Sequence, residues 1–235
     1  AERNPRAVDG PGQDVYTCLL PARHLTAISG RAPAKDTVRS RISERLTAAN
    51  YEDGLKPTKL WLGDAIAIKP PTAASFRRQA AANLMVVGQQ DIASTALMAM
   101  TMISIAMQRS PADAKIVLLD GTPADDPKFG LLGRVAECLP HDVKVAAYRE
   151  TDDAIRAVAE EVAARQAGGD DRQSVFLLIH GLQRYRQLRK NEDDYGFGGT
   201  SDGPAPADKL FASILREGSG LGVHVVLTCD TVASL

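Results

Sequence analysis

The chain has 235 residues, of which 44% are hydrophobic and 24% charged, and its formal net charge at pH 7 is −1. This balance excludes a strongly basic protein that coats nucleic acid by bulk electrostatics, although a local basic patch is compatible with it. The three cysteines are widely spaced and form no Cys-x-x-Cys pair. That spacing argues against a disulfide scaffold or a structural zinc site, and indicates a reducing compartment.

No apolar run approaches the roughly 18 residues that cross a bilayer, so we expect no membrane contact from this chain. The sequence also has no signal-peptide pattern, and we expect a cytoplasmic location. It begins at Ala1 rather than Met and ends directly after a predicted strand. From these ends we expect a piece of a longer protein.

Residues 1–58 are predicted to be a linker followed by a small helical appendage. The first 14 residues are polar and rich in Pro and Gly, which is typical of a linker. An apolar run at Val15–Leu20 predicts a short strand. Ala34–Asn50 predicts an amphipathic helix, because apolar residues recur at every fourth position, at Val38, Ile42 and Leu46.

The remainder, 59–235, is predicted to be one domain. It opens with a strand pair over Leu60–Ile68, bent at Gly63–Asp64 and ended by Pro70–Pro71. Buried strands then alternate with helices, and a Gly-rich insertion, Asn191–Pro206, precedes the last helix. This alternation predicts an α/β fold with a mostly parallel sheet covered by helices on both faces. The predicted strands are Leu84–Val87, Lys115–Leu119, Val143–Tyr148, Ser174–Ile179 and Val223–Thr228, and the predicted helices are Asp91–Gln108, Lys128–Cys138, Asp152–Gln166 and Ala207–Glu217.

The first strand–helix junction has the position of a phosphate-binding loop, since ligands of open α/β sheets sit at the carboxyl ends of strands. Its residues are Gly88, Gln89, Gln90, Asp91, Ile92, Ala93, Ser94 and Thr95. The Walker A pattern is Gly, four residues, Gly, Lys, then Ser or Thr. Gly88 and Thr95 fit it, but Ala93 replaces the second glycine and Ser94 replaces the lysine. Asp91 would repel a phosphate about 5 Å away by roughly 3 kcal/mol at an effective dielectric of about 20. By itself the stretch is also compatible with a plain strand–turn–helix junction.

Its context favours a more specific reading. Four segments resemble the FtsK/SpoIIIE-like (HerA/FtsK) family of hexameric DNA translocases, in order along about residues 60–235. They are Leu62–Ile66 before the proline pair, the NLMVVGQQ strand and loop, SVFLLIHGLQRY, and the Leu221–Asp230 strand that opens with Gly-Val-His. The resemblance implies a RecA-like P-loop NTPase core.

The departures from that family all lose a side chain that the family uses for ATP hydrolysis. The resemblance places His180 and Gly181 at the Walker B Asp-Glu pair, and Cys229 with Asp230 near the sensor glutamine. Gly181 has no side chain to activate water, and neutral His180 is a poor ligand for magnesium, which prefers hard oxygen atoms. Because the lysine, both carboxylates and the glutamine are all missing, we interpret the domain as one that kept the fold and lost hydrolysis.

Two basic features have alternative interpretations. A basic run after the fourth buried strand suits DNA phosphates or a solvated helix face, and comprises Arg184, Arg186, Arg189 and Lys190. The resemblance gives Arg216 a role as an arginine finger on a neighbouring subunit's nucleotide. The alternative for Arg216 is a surface arginine that pairs with Glu217.

Three further features follow or flank the strands. His180 and Cys229, with Asp230, suggest Cys–His nucleophilic catalysis or the remains of an abandoned site. Asp120 suits either a ligand contact or a turn before proline. The methionines of the first long helix suit either an adaptable partner-binding face or the buried core, and the latter is the stronger reading; they are Met98, Met100, Met102 and Met107.

Three functions remain open. The favoured one is a non-hydrolysing structural, regulatory or partner-binding module of a larger translocase-type machine, with no cofactor and no metal. The second is an active, DNA-stimulated ATPase motor that uses ATP with Mg²⁺. The third is a pocket that holds ATP without hydrolysing it, because helix N-termini bind phosphate through backbone N–H groups. The expected partners are other modules of the same parent chain or ring subunits, with double-stranded DNA or a protein substrate.

Overall fold

The computed structural model describes residues 51, 56–63, 72–169, 172–189 and 205–234. The elements predicted at Val15–Leu20 and Ala34–Asn50 lie outside these residues, as do Lys190 and nearly all of the predicted Gly-rich insertion. The division of the chain at residue 58 therefore stays a prediction.

Seven strands and four α-helices occupy the described residues. The strands are β1 Thr58–Gly63, β2 Thr72–Phe76, β3 Leu84–Val87, β4 Ala114–Asp120, β5 Val143–Ala146, β6 Ser174–His180 and β7 Val223–Cys229. The helices are α1 Asp91–Gln108, α2 Leu131–Glu137, α3 Thr151–Gln166 and α4 Ala207–Glu217. Four 3-10 turns lie between these elements, at Tyr148–Glu150, Leu182–Arg184, Arg186–Leu188 and Gly218–Leu221, and a fifth, Val232–Ser234, follows β7.

The five strands from β3 to β7 form one parallel sheet in the order β3-β7-β6-β4-β5. Every residue of β6 and β7 is buried, which explains why both read as continuous apolar runs rather than as alternating ones. The prediction of a mostly parallel α/β sheet is confirmed. All five carboxyl ends therefore lie at one edge of the sheet.

Helices cover both faces of this sheet. Side chains alternate along a strand, so in β4 Ile116 and Leu118 join one core while Val117 and Leu119 join the other. The first core lies under α1 and α2, and the second lies under α3 and α4. The predicted covering of both faces is confirmed.

The methionine-rich helix α1 belongs to the core. Met98, Met100 and Met102 are at most 2% exposed, so the partner-binding interpretation of these side chains is wrong. By length and composition α1 is the one helix in the described ranges that is apolar enough to cross a membrane, and 61% of it is buried within the protein. Its apolar character therefore follows from packing between protein layers.

The N-terminal strand pair differs from the prediction. The partner of β1 lies beyond Pro70–Pro71, where β2 pairs with β1 in an antiparallel register that places Gly63 opposite Thr72. Proline has no N–H to donate to a ladder, so the second strand starts only after the proline pair. The strand that the sequence predicts at residues 65–68 lies outside the described residues, as does the whole of 64–71.

Two side chains at the end of α1 hold this hairpin. The Gln108 amide donates to the carbonyl of Lys59 at 2.6 Å, and its oxygen accepts the Lys59 N–H at 2.8 Å. Arg109 donates to Thr58 Oγ1 at 2.9 Å and to the carbonyl of Lys56. Phe76 of β2 packs edge-on against Phe176 of β6. The hairpin is thereby joined to the same core as α1.

Several element ends differ from the prediction by one residue, and two differ by more. The helix expected at Lys128 begins at Leu131, because the Asp126 carboxylate accepts the Lys128 N–H at 2.7 Å and Gly130 has a φ of +72°. β5 ends at Ala146, because the Glu150 carboxylate accepts the Ala147 N–H at 3.0 Å and starts a 3-10 turn. Local side-chain bonds to the backbone compete with the regular element in both places.

Candidate functional site

An open cleft lies at the carboxyl edge of the sheet, over the ends of β3, β4, β6 and β7. It has about 400 Å³ of empty space, counting the solvent at its mouth. It is lined by Gly88, Asp91, Ser94, Thr95, Gly121, Thr122, Pro123, Asp126, Lys128, His180, Gly181, Gln183, Arg184, Thr228 and Cys229. The structure therefore brings residues from the predicted Walker A, Walker B and sensor segments to one place.

The β3–α1 junction is short. Only residues 88–90 separate the strand from the helix, which begins at Asp91. The Ser94 N–H already bonds to the carbonyl of Gln90 at 3.0 Å, so the backbone from Ser94 onward is committed to the helix. The N–H groups of the first turn have no partner within the helix. The hydroxyls of Ser94 and Thr95 turn back to the carbonyl of Asp91, at 3.0 and 2.7 Å.

The ring of His180, the last residue of β6, joins α1 to the β4 loop. Its Nε2 lies 3.4 Å from both Ser94 Oγ and Thr95 Oγ1. Its Nδ1 lies 3.3 Å from both Asp120 Oδ1 and Thr122 Oγ1. Because an ionised carboxylate only accepts hydrogen bonds, the contact with Asp120 favours the tautomer that carries the proton on Nδ1. The hydroxyls of Ser94 and Thr95 beside Nε2 both donate to the carbonyl of Asp91.

Asp120, the last residue of β4, is held as a carboxylate. Its Oδ1 accepts the Thr122 N–H at 3.0 Å and the Thr122 hydroxyl at 2.6 Å. Burial raises the pKa of Asp120, but the bonds from His180 and Thr122 outweigh it, so the pKa lies below its ordinary value. Asp120 is not part of the cleft lining, so it acts on the cleft through His180.

Two glycines allow the close approach of these loops. Gly121 donates its N–H to the carbonyl of His180 at 2.9 Å, and a Cβ added there would lie 2.3 Å from that oxygen. Gly181 has a φ of +77°, a conformation that L side chains rarely adopt. Its N–H donates to Thr228 Oγ1 at 3.0 Å. The backbone conformation itself therefore favours glycine at position 181.

The charges that line the cleft are balanced. Two carboxylates, Asp91 and Asp126, stand against two cations, Lys128 and Arg184. Lys128 pairs with Asp126 at 3.1 Å. The backbone and side chain of Lys128 donate to Asp126 and hold its pKa below the ordinary value. The cleft therefore has no excess positive charge for a polyphosphate.

Cys229 lines the cleft, but it lacks the features of a nucleophile. Burial and the neighbouring Asp230 raise the pKa of its thiol, which disfavours the reactive thiolate. The hydrogen-bond partners of His180 on the α1 side are the hydroxyls of Ser94 and Thr95. The ring is thus engaged by hydroxyl groups rather than by the predicted thiol.

The basic residues are divided between different places. Arg184 lines the cleft, and Arg184 and Arg186 are exposed on the 3-10 turns after β6, with Arg189 half-buried next to them. Arg216 is exposed in the last turn of α4. That turn lies at the amino edge of the sheet, where Asn83, just before β3, donates to the carbonyl of Leu215 at 3.0 Å. DNA contact and the arginine finger both stay predictions.

Several lining residues were missed by the sequence analysis. They are Asp126, Lys128, Gln183 and Thr228. Most follow the carboxyl ends of β4 and β6 by a few residues, and the rule that ligands meet strand ends would have found them. The Oε1 of Gln183 is buried and has no hydrogen-bond partner among the described residues.

The described residues contain no group of three or more His, Cys, Asp or Glu side chains that suits a metal ion. The oxygen donors nearest His180 fit magnesium poorly, because the Asp120 carboxylate is committed to His180 and Thr122. The alternative of ATP with Mg²⁺ stays a prediction.

Comparison with known proteins gives structural relatives only. No protein-family model matches the chain, and no curated protein matches it. One solved structure that it resembles is EccC (ATPases 2 and 3) from Thermomonospora curvata in complex with a signal sequence peptide, at 21% identity and a TM-score of 0.52. That match covers 77% of this chain and 33% of that one.

A second is the cytoplasmic domain of the type VII secretion ATPase EccC of the same organism. It is also 21% identical with a TM-score of 0.52, and the match covers 80% of this chain and 22% of that one. The chain therefore spans a third or less of the structures that it resembles. At this identity the likeness establishes the fold, and the chain has the P-loop NTPase fold of these secretion ATPase domains.

Proposed function

We propose that this chain is a degenerate FtsK/SpoIIIE-like P-loop domain that acts as a non-hydrolysing, partner-binding module of a larger translocase-type machine. The position of the His180 ring is the observation that carries this proposal. It stands where the resemblance puts the Walker B aspartate and lies within 3.4 Å of Thr95 Oγ1. In an active P-loop that hydroxyl binds magnesium.

The short junction supports the same conclusion. A Walker A loop cradles the β-phosphate with a series of backbone N–H groups. Here the helix begins at Asp91, and the Ser94 N–H is already used within it. Asp91 adds a carboxylate where a phosphate would bind, and the balanced lining offers no compensating charge. Binding of ATP with Mg²⁺ is therefore expected to be weak or absent.

The partner that we propose is a protein. One structural relative carries a signal sequence peptide and is a set of ATPase domains within a longer chain, which supports binding of a protein segment or a neighbouring module. A near-neutral chain also lacks the bulk charge that drives DNA binding. We further propose a cytoplasmic location, as for the second relative.

An ATP-holding site is the second candidate, and one observation favours it. The unpaired N–H groups of the first turn of α1 face the same edge as Lys128 and Arg184, and such helix ends attract phosphate. This site would hold nucleotide without turnover, since neither Walker B position carries a carboxylate.

The test is calorimetric titration of ATP with Mg²⁺ into the 235-residue chain, together with a phosphate-release assay with and without duplex DNA. No heat and no release support the non-hydrolysing module. Heat without release supports the ATP-holding site, and Arg184→Ala should then weaken binding whereas Arg216→Ala, at the opposite edge, should not. DNA-stimulated phosphate release would overturn both.

A further inference from the structure

Three side chains beside the cleft stand in the order hydroxyl, imidazole, carboxylate. Ser94 Oγ lies 3.4 Å from His180 Nε2, and His180 Nδ1 lies 3.3 Å from Asp120 Oδ1. This is the order in which a carboxylate orients a base and the base activates a hydroxyl nucleophile. We propose that this cluster is an acyl-transfer site, with Ser94 as nucleophile, that hydrolyses small uncharged carboxylic esters. The inference does not rest on the proposed function.

The carboxylate is fixed before any ligand arrives. The N–H and hydroxyl of Thr122 both donate to Asp120 Oδ1, which leaves that oxygen little freedom to rotate away from the ring. Asp120 in turn favours the His180 tautomer with the proton on Nδ1, in which the lone pair of Nε2 is on the side of α1. The base is therefore held in the tautomer that can accept a proton from a hydroxyl.

Ser94, rather than Thr95, is the accessible hydroxyl. Both lie 3.4 Å from Nε2, but Thr95 is only 1% exposed, whereas Ser94 is half-buried at the cleft surface. The Ser94 hydroxyl donates to the carbonyl of Asp91 at 3.0 Å, so it has to turn away from that oxygen to donate to Nε2. Hydroxyl rotors turn readily, and such bonds are often loose before substrate binds.

Donors for a developing oxyanion stand on the same helix. The Ser94 N–H is bonded to Gln90, so the N–H groups of Asp91, Ile92 and Ala93 have no partner within α1. The positive end of this 18-residue helix adds to their effect. Preorganised N–H donors of this kind are the usual stabilisers of a tetrahedral acyl intermediate.

The reaction balances with water as the second reactant. Ser94 Oγ attacks the ester carbonyl carbon while its proton passes to His180 Nε2. The bond to the alcohol oxygen breaks, and His180 returns the proton to the leaving alcohol. Water then attacks the acyl-serine and gives a proton to Nε2, which passes to Ser94 Oγ as the carboxylic acid leaves. No oxidant, metal or cofactor takes part in these steps.

The cleft determines the class of ester. It is open to solvent at its mouth and encloses little space of its own, so only a short acyl group fits beside Ser94. Asp91 lies next to Ser94 on α1 and disfavours an anionic acyl chain. Short acyl esters of uncharged alcohols are therefore the expected substrates.

The test uses a fluorophosphonate probe and p-nitrophenyl acetate with the full chain. We expect a covalent adduct on Ser94, located by peptide mass spectrometry, and ester hydrolysis that falls by about 100-fold or more in Ser94→Ala, the scale of a lost nucleophile or general base. Asp120→Asn should slow labelling of Ser94 as well, because the His180 ring is then no longer held in the tautomer with the proton on Nδ1.

Ser213→Ala, on the exposed face of α4, is the matched control and should behave as the wild type. Near-ultraviolet circular dichroism of Ser94→Ala reports whether the fold is intact, and Ser94→Cys, which keeps a nucleophile in place, should react with iodoacetamide faster than Cys138. An unlabelled Ser94, or hydrolysis unchanged in a folded Ser94→Ala variant, overturns the proposal and leaves His180 as a satisfied buried histidine.

Discussion

Gly121 is a residue at which the fold admits no side chain. It lies between the ends of β4 and β6, where an added Cβ would meet the His180 carbonyl oxygen at 2.3 Å. Backbone atoms cannot move aside as a flexible side chain can. The glycine therefore keeps the two loops of the cleft at their observed separation.

Gly121→Ala is expected to lower the free energy of unfolding by about 1–3 kcal/mol, the cost of overpacking. Gly133→Ala is the matched control: Gly133 lies within α2 with no atom near an added Cβ, so alanine should add about 0.5–1 kcal/mol of stability. Urea unfolding measures both. Equal destabilisation by the two substitutions would contradict the close approach at Gly121.

Asp120 makes stability depend on pH in a defined direction. Its pKa in the folded chain lies below the ordinary 3.8, so its contribution is fully present above that value and is lost as the pH falls through the folded pKa. The free energy of unfolding of the wild type should exceed that of Asp120→Asn most at neutral pH. The difference should shrink only in strong acid.

The measurement is urea unfolding of both proteins from neutral to strongly acidic pH. The difference between them isolates Asp120 from the other carboxyl groups, which titrate in both. A difference that stays constant through the acid range would show that the bonds from His180 and Thr122 do not favour the ionised form.

At the scale of elements, α1 shows how one helix serves two purposes. Its middle turns are buried under the sheet, while its first turn, with Ile92 at 66% exposure, lines the edge beside the cleft. Packing fixes the helix firmly, and this in turn fixes Ser94 and Thr95 against His180. The site is thus supported by the core rather than by a flexible loop.

Met102→Ala should lower the free energy of unfolding by about 2–5 kcal/mol, because a fully buried side chain leaves a cavity. Ile92→Ala on the same helix should change it by no more than about 0.5 kcal/mol, the scale of a surface substitution. Urea unfolding of the two variants tests this difference. A small effect at Met102 would mean that the face carrying it is not packed.

At the scale of the whole molecule, the sheet separates two cores that share its strands. Met102 lies in the core under α1, and Ile155 lies in the core under α3, both fully buried. The middle strands β4, β6 and β7 contribute side chains to both cores. We therefore expect the two cores to unfold together as a single cooperative unit.

The double variant Met102→Ala with Ile155→Ala tests this expectation. The two side chains are separated by the sheet, so the losses of the single variants should add to within about 0.5 kcal/mol. Unfolding followed by far- and near-ultraviolet circular dichroism should give one coincident transition. Two separate transitions would mean that each layer unfolds on its own.

Local patterns determined most of the fold. The bounds of β3, α1 and α4 were predicted as the structure has them, because apolar periodicity and turn residues act over a few neighbouring positions. The parallel sheet followed from the unbroken apolar runs of β6 and β7, since only strands buried on both faces read in that way. The placement of the site at the carboxyl edge followed from the same alternation of strands and helices.

Sequence periodicity does not determine the distance between two side chains that are far apart in the chain. Only the tertiary structure decided that β1 pairs across the proline pair with β2, and that His180 meets Ser94, 86 positions away. The sequence singled out both residues as departures from a motif, and offered the thiol of Cys229 as an alternative partner of the ring. The packing of α1 against the sheet selected hydroxyls instead, because contact depends on where whole elements are held rather than on the local order of residues.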